Sequence, residues 1–167
     1  VNEIAKGSKD FVGASPNTLF VFAAGNDGTD NDTIPASPAN VKTDNAIAVA
    51  ATNGVSSLAV FSNYGQKMVE VAAPGVAIDS TVPGDERLRM SGTSMAAPQV
   101  TGVLALYLSR NPGASAVDCK AWIAKNGIKN QIYSSVINND WTNPNALLGG
   151  PNNFLFNPYR NRFVDKK

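Results

Sequence analysis

Ser94 and Asn26 are the two side chains in this sequence whose types and settings suit chemistry on a carbonyl group. Ser94 lies in Gly92-Thr93-Ser94-Met95-Ala96-Ala97-Pro98, a glycine turn that runs straight into an apolar helix. In the first turn of a helix the backbone N–H groups lack partners and the dipole is positive, so an oxyanion forming beside a serine there is stabilised. Asn26 ends Leu19-Phe20-Val21-Phe22-Ala23-Ala24-Gly25-Asn26, an apolar run that reads as a buried strand. Open α/β sheets place their sites at the carboxyl ends of strands, and an Asn amide there can donate to the same oxyanion. A serine before a helix is commonly only a cap, and Thr93 can cap as well as Ser94. The two matched patches favour a nucleophile over a cap.

Periodicity predicts the elements that carry these residues. The helix that opens at the serine turn continues through Val100, Val103, Leu104, Leu106, Tyr107 and Leu108, reads as buried, and stops at Asn111-Pro112-Gly113. Gly102 reads as a close-packing position, and Pro98 falls within or just after the opening turn, where a missing N–H costs least. Val1–Gly13 reads as the second part of a helix, with Ile4, Phe11 and Val12 apolar and Lys6, Lys9 and Asp10 outside. No capping residue precedes it, which suggests a start within an element. Strands are expected at Leu19–Ala24, Asn45–Thr52, Leu58–Phe61 and Met68–Ala72, with a polar loop from Gly28 to Asn45 and a turn at Ser62–Gly65. Val76–Ser80 leads to a polar turn at Pro83-Gly84-Asp85-Glu86, and Leu88–Ser91 feeds the serine turn. A shorter helix, Ser115–Lys125, is expected to turn Val117, Ala121, Trp122 and Ile123 inward and to end in a left-handed stop at Asn126-Gly127. Beyond it, Ile128–Trp141 reads as less regular. Asn143–Tyr159 reads as coil, anchored by Phe154, Leu155, Phe156 and Tyr159. The class is α/β, a sheet flanked by helices, as one domain portion with its core in 1–127 and an irregular extension at 128–167.

The chain has 167 residues, 43% apolar residues and a formal charge of +1, which suits one folded core and suggests neither disorder nor a transmembrane span. The near-neutral balance gives no reason to expect nucleic acid or a charged membrane as partner. The basic stretch from Asn157 to Lys167 reads as a solvated end. Cys119 is single, so no internal disulfide forms, and a buried thiol is favoured over a functional one. Asn31-Asp32-Thr33 is a glycosylation sequon in a host with that machinery. The chain contains no histidine.

Ala24-Gly25-Asn26-Asp27-Gly28, Phe61-Ser62-Asn63-Tyr64-Gly65, Ala73-Pro74-Gly75 and Gly92-Thr93-Ser94-Met95-Ala96-Ala97-Pro98 together resemble the carboxyl-terminal half of a subtilisin-like serine protease of the S8 family. Their order and spacing agree from about Leu19 to Tyr107. Asn63-Tyr64-Gly65 and Leu155-Phe156-Asn157 are similar to the proteinase K branch. The resemblance implies a parallel sheet flanked by helices, and acyl transfer with Ser94 as nucleophile. Asn26 and the Ser94 N–H would then hold the oxyanion. It implies substrate contacts at Ala24, Gly25, Pro38, Ala39 and Thr93; Pro38-Ala39 would wall the pocket, the alternative being an ordinary loop proline. It also implies a structural calcium held by Glu70 with the carbonyls of Pro38 and Asn40. Relatives carry Asp at the Glu70 position, and a plain solvent-facing carboxylate is the alternative reading. No cofactor is required for the chemistry, and secretion is the family habit.

The family's catalytic Asp and His precede the stretch matched here, so the resemblance implies a separate amino-terminal chain that carries both. The family's usual His-Val-Ala-Gly after Ala97-Pro98 is here Gln99-Val100-Thr101-Gly102, a histidine outside the triad. A Ser–Lys mechanism lacks a lysine near Ser94 in sequence, and the Ser-Glu-Asp branch would place an Asp where Asn26 stands. The competing reading is a non-catalytic binding or regulatory subunit that keeps the fold.

Overall fold

A computed structural model describes residues 3–53, 57–129 and 153–154. The elements run α1 (Glu3–Gly13), β1 (Phe20–Ala23), β2 (Ala46–Asn53), β3 (Ser57–Leu58), β4 (Val71–Pro74), β5 (Ile78–Val82), β6 (Glu86–Met90), α2 (Thr93–Arg110), α3 (Ala116–Asn126), β7 (Ile128–Lys129) and β8 (Asn153–Phe154).

The strand β2 is the centre of the molecule. Seven of its eight residues are buried, because both faces are covered. Ile47, Val49 and Ala51 point one way, into a core with Val71 and Ala73 of β4 and with Ala96, Ala97, Val100, Val103 and Leu104 of α2. Ala48 and Ala50 point the other way, with Ala24, Ala39, Leu58, Val69 and Ala72. On that second face Val12 of α1 packs with Val41 and Ala46. The principal sheet runs β1-β2-β4-β8-β7, with β3 paired to β2. The β1–β2, β2–β4 and β4–β8 pairs are parallel, while β2–β3 and β7–β8 are antiparallel. This is the expected α/β architecture, a parallel sheet with helices on its faces. β7 and β8 draw on the segment expected to be irregular, so the sheet extends beyond residue 127.

Asn45 joins α1 to the sheet. Its buried Nδ2 lies 3.0, 3.0 and 3.2 Å from the carbonyl oxygens of Val12, Ser15 and Thr18, closing the turn between α1 and β1. The polar turn at 83–85 proves to be the tip of a hairpin, β5–β6, that forms its own two-stranded sheet. Both its strands are largely exposed. Arg89 donates to both carboxylate oxygens of Asp79 (3.0 and 2.9 Å), and these bonds hold the Asp79 carboxyl below its ordinary range.

Several local expectations give way to packing. β3 stops at Leu58, and Val60 and Phe61 lie in a turn that carries the chain off the edge of β2. β4 begins at Val71 rather than at Met68, because Met68 N–H is taken by Asp32 Oδ1 (2.9 Å). In α1, Ile4 and Phe11 are 69% and 65% exposed, so only Val12 reaches the core. α2 is one-sided rather than buried: Leu106 and Leu108 face out, and a Cβ added at Gly102 would meet nothing within 4 Å. In α3 the buried residues are Ala116, Cys119 and Ile123, while Val117 and Ala121 are exposed and Trp122 stacks on Tyr107 at 4.8 Å. The helix opens on a capping box between Ser115 and Asp118, and it ends on Gly127 in an extended rather than left-handed conformation (φ −63°, ψ 148°). Burial pushes the Cys119 thiol up, away from the reactive thiolate. Among the described residues no helix is long and apolar enough to cross a membrane. The expected start at Val1, the irregular stretch after Lys129, the anchors Leu155, Phe156 and Tyr159, and the basic stretch to Lys167 lie outside the described residues.

Replacing Asn45 by Ala strands buried carbonyls at the α1–β1 turn. It should lower the unfolding free energy by about 1–3 kcal/mol, read as a lower urea midpoint at unchanged slope.

Candidate active site

The sheet brings the two sequence patches together. Asn26 lies in the bend just beyond the carboxyl end of β1, and α2 begins beside it at Thr93. Thr93 donates both its backbone N–H and its Oγ1 hydroxyl to Asn26 Oδ1, each at 2.9 Å. A backbone N–H can only donate, so the Asn26 atom facing it must be the oxygen. The Asn26 Nδ2 group is thereby turned outward as a donor. The Thr93 hydroxyl in turn accepts from Gly25 N–H at 3.2 Å.

The start of α2 is capped by no side chain on its own element. Gly92 is the N-cap (φ 158°, ψ 162°), a conformation open essentially to glycine, and its N–H donates to Gly75 O at 2.8 Å. Neither Thr93 nor Ser94 is the cap. Thr93, the first helical residue, receives its partner from the loop that follows β1, and the exposed Ser94 presents a side chain that the helix does not use. Among the described residues the Ser94 N–H and Asn26 Nδ2 make no hydrogen bond. A nucleophile-type hydroxyl and two unused donors thus share one exposed corner at a helix N-terminus, a setting that suits a developing negative oxygen.

Pro98 sits deeper in α2 than the sequence suggested, as its sixth residue. Having no N–H, it leaves the Ser94 carbonyl without the usual helical bond. The adjacent Gln99 makes a different tie: its Nε2 donates to Pro74 O (2.6 Å) at the end of β4 and to Met95 O (3.1 Å). The residue that departs from the family wording therefore ties the serine turn to the sheet.

The expected ligand-contact residues are mostly withdrawn from the surface, with Gly25 half-buried. Ala24 and Ala39 are buried in one cluster. Ala24 O accepts from Asn31 Nδ2 (2.9 Å), and Gly25 O accepts from Asn63 N–H (2.9 Å). Thr93 is buried, whereas Pro38 is exposed and follows a cis Ser37–Pro38 peptide bond.

The calcium expectation does not fit the residues present. Glu70 Oε1 receives the ammonium groups of Lys120 (3.1 Å) and Lys42 (3.5 Å), and Oε2 accepts Ala48 N–H (2.8 Å). The Lys120 ammonium also donates to Thr43 O (2.9 Å) and Ala46 O (2.6 Å), so a tethered cation already fills the nest of carboxylate and carbonyl oxygens. Pro38 O accepts Val41 N–H, and the Asn40 side chain accepts from Ser37 Oγ. Two positive charges beside Glu70 oppose entry of a third. Among the described residues no group of three or more acidic, Cys or His side chains is placed to hold a metal ion.

Sequence reasoning passed over Lys120, which no short-range pattern marks. It also quoted Asn63 without a role and read Asn31 only as a sequon. Asn31 and Asn63 are 1% and 0% exposed and bond to each other.

The profile of the subtilase family matches residues 1–149. Alkaline elastase YaB from Bacillus sp. (strain YaB) is 44% identical over 102 residues, which is 61% of this chain and 25% of that protein. Subtilisin BL from Lederbergia lenta is 40% identical over 120 residues, 72% of this chain and 40% of that protein. The crystal structure of a cold adapted subtilisin-like serine proteinase superposes with a TM-score of 0.68 at 32% identity, covering 83% of this chain and 45% of that one. The chain thus spans less than half the length of these relatives.

Replacing Lys120 by Met leaves Glu70, Thr43 O and Ala46 O short of a donor and should destabilise the fold by about 1–3 kcal/mol. A chelator should leave the thermal midpoint of the unsubstituted protein unchanged; a fall on adding chelator would show that a metal ion holds this region after all.

Proposed function

Because this chain belongs to the subtilase family of serine proteases, we propose that it carries the nucleophile and oxyanion site of an endopeptidase whose catalytic Asp and His reside on a separate amino-terminal chain. The observation that carries this reading is the Asn26–Thr93 bond pair, which sets an outward amide donor beside Ser94. In the reaction, Ser94 Oγ attacks the peptide carbonyl carbon while the partner's imidazole takes the hydroxyl proton. Asn26 Nδ2 and the Ser94 N–H hold the oxyanion of the tetrahedral intermediate. The same imidazole then returns the proton to the leaving amine, and water releases the acyl group by the reverse sequence.

The 167 residues contain no histidine, so in this reading the catalytic His comes from outside them. Loss of the Ser or the His costs about 10⁶ in turnover, a scale set on subtilisin itself. The aligned relatives are named as an elastase and a subtilisin, which supports peptide substrates. An extracellular setting belongs to the same reading.

The test is labelling of the native protein with a fluorophosphonate, with the modified residue mapped by mass spectrometry. Ser94 should be labelled, and a co-purifying polypeptide should supply the histidine. Ser94→Ala should abolish labelling. Asn26→Ala should lower turnover by roughly 10²–10³-fold, the scale for loss of one oxyanion donor, likewise set on subtilisin. A folded sample that takes no label would sink the catalytic reading in favour of a binding or regulatory subunit.

A further inference from the structure

We propose that Asn63, through its buried pair with Asn31, is the positioning residue for the oxyanion-binding amide of Asn26. The inference rests on the catalytic reading of Ser94 and Asn26 given above.

Asn26 sits on Ala24–Thr29, a segment beyond the end of β1 that is tied at Ala24 N–H to Val49 O (2.9 Å) and at Gly28 N–H to Phe61 O (2.8 Å). Asn63 holds that segment from both sides of Asn26. On the preceding side, its N–H donates to Gly25 O at 2.9 Å. On the following side, its Oδ1 accepts from Asp27 N–H at 2.8 Å and from Thr29 N–H at 3.2 Å. Those two donors force the orientation of the Asn63 amide, which turns Nδ2 toward Asn31 Oδ1 at 3.0 Å. Asn31 Nδ2 must then face away, and it donates to Ala24 O at 2.9 Å. The result is a circuit of directed bonds around Ala24–Thr29 that leaves the Asn26 and Asp27 side chains exposed.

The circuit is anchored and tight. Ser62 Oγ accepts from Ala51 N–H in β2 (2.8 Å) and donates to Asn63 O (2.9 Å), tying the pair to the central strand. A Cβ added at Gly25, whose φ is +117°, would lie 2.4 Å from Asn63 Nδ2. Only glycine admits both that backbone angle and that contact. Because Asn63 and Asn31 are buried, neither can touch a ligand; they act through Asn26. Oxyanion stabilisation is steep in donor position, and a misplacement of about 1 Å costs on the order of 10²-fold in rate. Reaction rate should therefore register loosening of the pair well before binding does.

The experiment is a double-mutant cycle on the native assembly, pairing Asn63→Ser with Asn26→Ala. Asn63→Ser alone should lower kcat by about 10–100-fold with KM within about twofold. In the Asn26→Ala background the same change should cost less than about twofold, because the amide it positions is gone. Asn31→Ala spares the bonds to Asp27 and Thr29, so it is the second variant should Asn63→Ser fold poorly, with the same non-additivity expected. Equal losses in both backgrounds, following the folded fraction, would overturn the positioning role while leaving the catalytic reading intact. No turnover from the unsubstituted protein, together with an unlabelled Ser94, would overturn the catalytic reading and this inference with it.

Discussion

The shared oxygen of Asn26 is the contact on which the site depends. Two donors from Thr93 converge on it, so one bond pair joins the end of β1 to the start of α2 and fixes which way the amide faces. Helix N-termini need an acceptor for their first N–H groups, and most take it from a cap on their own chain segment. Here the acceptor comes from the loop that follows β1. The demand for a partner at the helix end and the demand for an oriented donor at the strand end are met together.

The rest of the fold serves to hold those two ends at one corner. β2 is buried on both faces, and α2 packs across the face that carries Ile47, Val49 and Ala51. Directed polar contacts then fix the parts that apolar packing leaves loose. Asn45 closes the α1 turn, Gln99 ties the first turns of α2 to β4, and Lys120 draws α3 to the amino-terminal ends of β2 and β4. In this arrangement hydrophobic burial supplies attraction without direction, and the amides and one ammonium supply the direction.

The apolar runs at Leu19–Ala24 and Ala46–Thr52 were legible because a strand covered on both faces has to be apolar throughout. Ser94 and Asn26 were legible because glycine and small residues mark the ends of the elements that present them. What the sequence hid was set by contacts distant along the chain. Glu70 looks like a cation ligand in isolation, and only the fold brings Lys120 to it. Asn31 looks like a surface sequon, and only the fold buries it beneath Asn26. Val117 and Ala121 look like an inward face along with Ile123, but in α3 it is Ala116 and Cys119 that join Ile123 in the core. Helical periodicity gives a stripe, and tertiary packing decides which edge of that stripe meets the core.

The burial of Asn31 bears on how the molecule can be made. Oligosaccharide transferases act on Asn-X-Thr while the chain is still emerging and unfolded, before any burial can protect the amide. A sugar placed on Asn31 at that moment would occupy the nitrogen that must reach the Ala24 carbonyl and would hold the chain away from Asn63. Manufacture in a glycosylating secretory pathway therefore sets modification in a race against folding, a race that a bacterial host without such a transferase does not run.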